Sequence, residues 1–176
     1  MGNPRRPADP LTRAEAGHRK DHPASLRGHL ALRAENHGAT PWCGPAALAL
    51  ATGGTYAQAS ALLRAIAPDW YPAEGPIVTA YWRDLLAALD QSGVPQAVLS
   101  QPPRRRSLIR FIREDPAPGW YLMRVTDHFL LLRSHGFGLA TLHDNRHTGA
   151  LVSARTHGLR HVTHTARLLG GPLVAA

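Results

Sequence analysis

The feature that most limits how this chain can fold is a short helical segment with the only cysteine at its start. Residues 46–51 are all alanine or leucine, which are strong helix formers, and the glycine pair soon after them ends the helix. Pro45 suits the first turn of a helix, and Pro41 disfavours helix in the residue before it. The sequence therefore predicts a helix over residues 44–52 with Cys43 at its N-terminus.

A thiol at the N-terminus of a helix lies beside unpaired backbone N–H groups and roughly half a positive charge. Both favour the thiolate, and such surroundings lower the pKa of a cysteine from about 8.5 toward roughly 3.5–7.5 in the most activated cases. A lone cysteine is more commonly a small buried hydrophobic residue, so the nucleophilic interpretation of Cys43 requires a base elsewhere in the chain. A single cysteine also excludes an internal disulfide, which suits a reducing compartment.

Helical patterns occupy the first part of the chain and strand patterns the second. Helices are predicted over residues 44–52, 56–66, 79–91 and 108–113, with Thr55 and Ser107 as N-caps. Strands are predicted over residues 96–100, 120–125, 128–133, 139–142 and 161–169, whereas residues 24–34 suit a short helix or a strand. This order predicts an α+β fold, with an N-terminal helical lobe packed on a C-terminal antiparallel sheet.

At 176 residues the chain is long enough for one domain with a substantial core. Residues 1–23 mix proline, arginine, aspartate and glycine with little periodicity, so we expect a flexible basic arm followed by a single domain over residues 24–176. No apolar run approaches the roughly 18 residues of a membrane span, and the N-terminus has no pattern of a secretory signal. We therefore expect a cytoplasmic protein.

The formal net charge of +8 suits an anionic partner, so the distribution of the arginines matters. The densest cluster is Arg104, Arg105 and Arg106, with Arg110 and Arg113 beyond it. No zinc finger and no aromatic pair of the RNA-binding type accompanies these residues. A solvated helix face explains the cluster, and nucleic-acid binding is not expected.

A histidine and a carboxylate occur where two neighbouring strands would meet. His128 begins one predicted strand, and Asp144 and Asn145 follow the next, with residues 134–137 joining the two. In an antiparallel pair the start of one strand lies beside the end of the other. An imidazole there can take the proton of the thiol, while an acid or amide fixes its tautomer. The spacing predicts that Cys43 and His128 act together, oriented by Asp144 or Asn145.

Three motifs carry a resemblance to a known family. They are Trp-Cys-Gly-Pro-Ala-Ala-Leu-Ala at residues 42–49, His-Phe-Leu-Leu-Leu at residues 128–132 and Asp-Asn at residues 144–145. Their sequence and order resemble papain-like cysteine peptidases, in particular the bacterial double-glycine leader peptidase family and its stand-alone relatives. The resemblance extends over roughly residues 36–149.

The resemblance implies a helical lobe packed on an antiparallel sheet, with the active site in the cleft between them. It implies that Cys43 is the nucleophile, that His128 is the general base and then the general acid, and that Asp144 orients the imidazole, with Asn145 as the alternative. Acyl transfer and deamidation would use the same residues.

The family places a glutamine six residues before the cysteine, where its amide donates to the oxyanion. In this chain that position is His37, and Asn36 precedes it. The resemblance therefore implies an oxyanion hole that consists of the backbone N–H of Cys43 and a side chain of Asn36 or His37. Loss of one such donor typically costs ~10²–10³ in rate.

Two functions follow from these observations. The first is a thiol hydrolase, a cysteine peptidase that acts on a peptide or protein substrate through an acyl-enzyme. The second is a binding or assembly component with the same fold and little or no turnover, for example in a phage-like or virion-like particle. The missing glutamine and the basic arm at residues 1–23, which would contact the assembly partner, motivate the second function.

We expect no cofactor and no metal ion. The pairs His143/His147 and His161/His164 have spacings that bind zinc on a helix, but they fall in predicted strand and turn. They are interpreted as surface histidines.

Overall fold

The computed structural model describes residues 27–100 and 106–173, and the predicted α+β class is confirmed there. The predicted arm at residues 1–23 lies outside the described residues. The described helices are α1 (His29–Glu35), α2 (Cys43–Thr52), α3 (Tyr56–Ile66), α4 (Trp82–Gln91) and α5 (Leu108–Arg113). The described strands are β1 (Gln96–Val98), β2 (Gly119–Val125), β3 (His128–Gly136), β4 (Leu139–His143), β5 (Thr148–Leu151) and β6 (Val162–Leu168). None of these helices is long and apolar enough to cross a membrane.

Local sequence signals set the ends of the helices near the cysteine. α2 ends at Gly53, whose φ of 69° is left-handed and therefore favours a residue without a Cβ. α3 begins with a capping box, in which the Thr55 hydroxyl accepts from the N–H of Gln58 and the Gln58 side chain accepts from the N–H of Thr55. Both helices cover the residues predicted for them, and α2 also includes Cys43. The ambiguous stretch at residues 24–34 contains the first part of α1.

The third predicted helix starts later than expected. The sequence pattern predicted residues 79–91, whereas α4 begins at Trp82 and Tyr81 is its extended N-cap. The N–H of Tyr81 donates to the hydroxyl of Tyr71 at 3.1 Å, and that hydroxyl donates to the buried carboxylate of Asp84 at 2.7 Å. This tertiary contact holds the residues before α4 in an extended conformation, which helix propensity alone does not anticipate.

The six described strands form one antiparallel sheet in the order β1-β6-β2-β3-β4-β5. The predicted meander is present as β2, β3 and β4. β6 lies between β1 and β2. The edge strand β1 comes from the first part of the chain, directly after the helix α4. β5 was not predicted, because its sequence Thr-Gly-Ala-Leu has little strand propensity and little alternation.

Both faces of the sheet are covered, which explains the unbroken apolar run in β3. Phe129 and Leu131 pack on the face that carries α2, α3 and α4, whereas Leu130 and Leu132 pack with α5 on the opposite face. Successive residues of a strand point to opposite faces, so such a run is buried only when both faces are covered. α2 contacts β3 on the first face and is buried over residues 44–51.

A tight turn between β3 and β4 sets the register that brings their ends together. The turn residues Phe137 and Gly138 have φ values of 54° and 71°, as in the two-residue turns that suit antiparallel hairpins. The sequence predicted a longer connection over residues 134–137, but β3 continues through most of that stretch with a bulge. Leu131 pairs with His143, so the residues after β4 lie beside the start of β3.

The described part of the arginine-rich segment contacts its own helix. Arg106 forms an ion pair with Glu114, and its guanidinium lies 4.7 Å from the ring centroid of Phe111. Glu114 also pairs with Arg110 at 3.4 Å, and Arg110 is exposed, as expected for a solvated helix face. The two arginines before Arg106 lie outside the described residues.

Gly44→Ala is expected to destabilise the start of α2. A Cβ at Gly44 would lie 2.4 Å from the Cβ of Ala80, so one of the two backbones has to move. We expect the free energy of unfolding, measured by urea denaturation, to fall by about 1–3 kcal/mol. Gly170→Ala is the matched control, because a Cβ there meets no atom within 4 Å, and its effect should stay below about 0.5 kcal/mol. Equal losses in the two variants would contradict the packing argument.

Candidate active site

The helix α2 fixes the position of the thiol. Cys43 is the first residue of α2, and the extended Trp42 precedes it as the N-cap. The next eight residues of α2 are all buried, so the core holds this end of the helix in place. The side chain of Cys43 is half-buried and lines a cavity of about 320 Å³, whose lining also includes residues at the start of β3.

His128 contacts both the thiol and a carboxylate. Its ring lies beside the thiol, close enough to lower the pKa of Cys43, and its Nε2 lies 2.9 Å from Oδ2 of Asp144. Because Nε2 faces the carboxylate, Nδ1 is the ring nitrogen left for the thiol. A carboxylate at Nε2 holds the proton on that nitrogen and leaves Nδ1 free to accept the proton of the thiol.

Asp144 lies at the centre of a hydrogen-bond cluster just after β4. Its side chain is fully buried. Oδ1 accepts from the N–H groups of Arg146 and His147, both at 2.7 Å, and lies 3.0 Å from Nδ1 of His147. Oδ2 lies 2.9 Å from Nε2 of both His128 and His157. A buried charge is tolerated when it is this fully hydrogen-bonded.

The contacts around Cys43 and His128 favour a thiolate and an imidazolium. Burial acts to raise the pKa of Cys43, but the hydrogen bonds from His128 and from the backbone N–H of Phe129 outweigh it, and the pKa is lowered. Burial acts to lower the pKa of His128, but its hydrogen bonds to Asp144 and Cys43 outweigh it, and the pKa is raised. Both shifts favour transfer of the proton from the thiol to the imidazole.

The carboxyl of Asp144 is ionised in the folded protein. Burial acts to raise its pKa, but the hydrogen bonds from His128, His157 and the N–H of Arg146 hold the pKa well below its usual value of 3.8. A group with a lowered pKa stabilises the folded state above its unfolded pKa. This contribution is therefore complete at neutral pH and is lost as the pH falls below about 4 toward the folded pKa.

The amide of Asn145 has a different partner from the carboxylate beside it. Nδ2 of Asn145 donates to the backbone carbonyl of Pro41 at 2.7 Å. The side chain is buried and lines the cavity that contains Cys43. Of the two residues that the sequence left open as partners of His128, the structure therefore has Asp144 in contact with the imidazole. Asn145 connects the turn after β4 to the segment before α2.

The two side chains considered for the oxyanion hole do not reach the cavity. Nδ2 of Asn36 donates to the carbonyl of Ala39 at 3.2 Å, and His37 is exposed with a φ of 52°. Neither is among the described residues that line the cavity containing Cys43. The backbone N–H of Cys43 does belong to this site, and as the first residue of a helix it has no intrahelical acceptor.

His157 is a site residue that sequence reasoning missed. It lies between β5 and β6, in a left-handed conformation with a φ of 62°. Its ring centroid is 4.3 Å from that of His128, with 31° between the ring planes, and it lines the same cavity as Cys43. It is separated from Asp144 by 13 positions with no periodic pattern, so only the path of this connection brings it to the site.

The histidine pairs with zinc-like spacing have mixed surroundings. The surface interpretation is wrong for His143, which is buried, with its ring centroid 5.1 Å from that of Trp120. Burial lowers the pKa of His143 to about 4. His147 belongs to the cluster around the buried carboxylate, His161 is exposed, and His164 is half-buried.

Asp144→Asn is expected to raise the pKa of Cys43 by about one unit or more, because it removes the charge that favours the protonated His128. The thiolate absorbance of Cys43 against pH measures this shift. Asp127→Asn is the matched control: it removes the same charge from the lining of the same cavity, but Asp127 makes no hydrogen bond to His128 in the structure. The same shift in both variants would contradict a specific role for Asp144.

No protein-family model, curated protein sequence or solved structure matches the chain. The interpretation of the site therefore depends on its own geometry. A half-buried thiol lies beside an imidazole, the imidazole is hydrogen-bonded to a buried carboxylate, and a cavity lies beside the thiol. Chemically, this arrangement can generate a nucleophile next to space for a substrate.

Proposed function

We propose that this protein is a thiol hydrolase with a papain-like fold, a cysteine peptidase that acts on a peptide or protein substrate. The observation that carries the proposal is the position of His128, whose ring lies beside the thiol of Cys43 and whose Nε2 lies 2.9 Å from the carboxylate of Asp144. The location of the thiol at the start of a buried helix packed against an antiparallel sheet also supports it.

In the first half of the reaction the thiolate of Cys43 attacks the carbonyl carbon of the substrate. The negative charge that develops on the carbonyl oxygen is stabilised by the backbone N–H of Cys43. His128 then donates its Nδ1 proton to the leaving amine as the carbon–nitrogen bond breaks. An acyl-enzyme thioester remains on Cys43, and His128 is neutral.

In the second half, a water molecule replaces the amine. His128 accepts a proton from that water, and the resulting hydroxide attacks the thioester carbonyl. The carbon–sulfur bond breaks, the acid leaves, and the thiolate and imidazolium are restored. Asp144 stabilises the protonated imidazole in both halves and keeps Nδ1 directed at the thiol.

A second candidate function is a binding or assembly component that retains this fold with little or no turnover. The specific observation in its favour is that neither Asn36 nor His37 lines the cavity with Cys43, so the side-chain oxyanion donor implied by the family is missing. This function predicts that Cys43→Ala leaves partner binding intact. A peptidase predicts that the same variant abolishes turnover.

Alkylation of Cys43 by iodoacetamide is expected to stay fast well below pH ~8 in the wild-type protein, because the pKa of the thiol is lowered. His128→Ala should move the midpoint of the rate–pH curve back toward about 8.5, the value of a free thiol. His135→Ala is the matched control, since His135 is exposed and its Nε2 lies 3.1 Å from the hydroxyl of Thr141. A midpoint near the free-thiol value in the wild type, unchanged by His128→Ala, would remove the catalytic proposal.

Hydrolysis of a reporter thioester or peptide is expected to follow a bell-shaped pH profile. The acid limb reflects protonation of Cys43, whose pKa is lowered, and the alkaline limb reflects loss of the proton from His128, whose pKa is raised. The active thiolate–imidazolium pair exists between these two limits. Initial rates across the pH range measure the profile, and a rate that rises continuously into alkaline pH would contradict a role for the imidazolium.

A further inference from the structure

We propose that His128, Asp144 and His157 bind one divalent transition-metal ion, with the ligand preferences of Zn²⁺ or Co²⁺, on the side of His128 that faces away from Cys43. Each of the three residues offers a ligand atom within 4.8 Å of those of the other two. The atoms we assign as ligands are Oδ2 of the carboxylate and the two Nε2 atoms that face it. Among the described residues, this is the one group of three histidine, cysteine or acidic side chains with such spacing. It is a different set from the histidine pairs with helical spacing.

The present distances are close to those of a zinc site. Nε2 of each histidine lies 2.9 Å from Oδ2 of Asp144. Zinc bonds to imidazole nitrogen and carboxylate oxygen are about 2.0–2.2 Å long, so ligand atoms stand roughly 3.3 Å apart around a tetrahedral ion. Each nitrogen–oxygen separation therefore has to widen by only a few tenths of an ångström. The two rings, whose centroids are 4.3 Å apart, bring their nitrogens to the ion by rotation of the side chains.

The carboxylate is already held in the orientation that a ligand needs. Oδ1 of Asp144 accepts from the N–H groups of Arg146 and His147 and contacts the ring of His147, which leaves Oδ2 directed at the two Nε2 atoms. Metal ligands are commonly held by such outer hydrogen bonds, and these contacts raise the affinity of a site. Metal binding therefore does not have to immobilise the carboxylate, because these hydrogen bonds already fix its orientation in the folded protein.

The site is accessible and has room for a further ligand. The side chains of His128 and His157 are 11% and 16% exposed, and both line the cavity. Three protein ligands and one open position are typical of zinc sites that exchange a ligand. Arg146 and Arg160 line the same cavity and oppose a cation. We therefore expect weaker binding than in a closed structural site with four protein ligands.

Occupation of this site would stop the thiol chemistry, a consequence that rests on the proposed function. The ion on Nε2 of His128 replaces the proton there, and the other ring proton stays on Nδ1, beside the thiolate. The Nδ1–H group of a metal-bound neutral imidazole is a much weaker acid than that of an imidazolium, so it does not protonate the leaving amine. Nδ1 also has no lone pair with which to accept the proton of the water in the second half of the reaction. Bound metal therefore stops turnover while the thiolate stays in place.

The test is metal binding in Cys43→Ala, which removes the thiol as an alternative ligand. Co²⁺ alone is titrated into the full-length variant, and binding is monitored by the visible absorption of the cobalt complex and by calorimetry. We expect one ion per chain, with the absorption of a four- or five-coordinate complex. Adding His157→Asn, a residue type that tolerates left-handed φ, should weaken binding by at least about 10-fold. The second variant adds His128→Ala to Cys43→Ala and should weaken binding as well. Circular dichroism checks that each variant is folded.

Adding His135→Ala to Cys43→Ala is the matched control and should leave the affinity unchanged, because His135 is exposed and contacts Thr141. Absence of binding in Cys43→Ala, or undiminished binding in a folded His157→Asn or His128→Ala variant, would overturn the proposed site.

Hydrolysis of the reporter thioester with and without Zn²⁺ tests the link between the site and His128. We expect Zn²⁺ to inhibit hydrolysis in the wild type and to inhibit it much less in His157→Asn, while alkylation of Cys43 stays fast in both. Equal inhibition of hydrolysis in both variants, or a matching loss of alkylation in the wild type, would overturn this link. A failure of the proposed function shows itself differently, as alkylation that is insensitive to His128→Ala without any metal.

Discussion

The interaction on which the site depends most is the burial of the Asp144 carboxylate. A charge with no exposed surface is stable only if its hydrogen-bonding capacity is filled, and here both oxygens are filled by the turn after β4 and by two imidazoles from elsewhere in the chain. The same contacts that stabilise the charge hold the turn, direct His128 at the thiol and bring His157, in the β5–β6 connection, to the site. Stability and site geometry are therefore consequences of one cluster.

The second constraint is the burial of α2. Its residues 44–51 are enclosed by β3 and the neighbouring helices, and the close approach of Gly44 to Ala80 leaves no room for a larger residue. The Asn145 amide adds a bond across to the carbonyl of Pro41, just before the helix. Cys43 thus belongs to a rigid element on one side of the cavity, and His128 belongs to a covered sheet on the other. A thiol and a base held this way keep their distance without relying on flexible loops.

Much of the fold and part of the site follow from the sequence. The helix at residues 56–66 has its capping box, and the apolar run of β3 requires a sheet covered on both faces. The contact between His128 and Asp144 is foreseeable because a hairpin with a short turn brings the start of one strand beside the end of the next. The start of α4 is not foreseeable, since the hydroxyl of a tyrosine in the loop before it decides it. Nor is β5, whose residues have little strand propensity of their own.

By itself the sequence determined the elements that depend on near neighbours: the helix that begins at Cys43, the strands of the meander, and the histidine and acid at one end of that meander. Propensity, capping and alternation act over a few residues, so they can be read from the chain. Only the tertiary structure decided that Asp144 rather than Asn145 contacts His128, that Asn36 and His37 lie away from the thiol, and that His157 joins the cluster. These outcomes depend on the paths of turns and long connections. Core packing and the hydrogen bonds of a buried charge determine those paths, and no local sequence pattern encodes them.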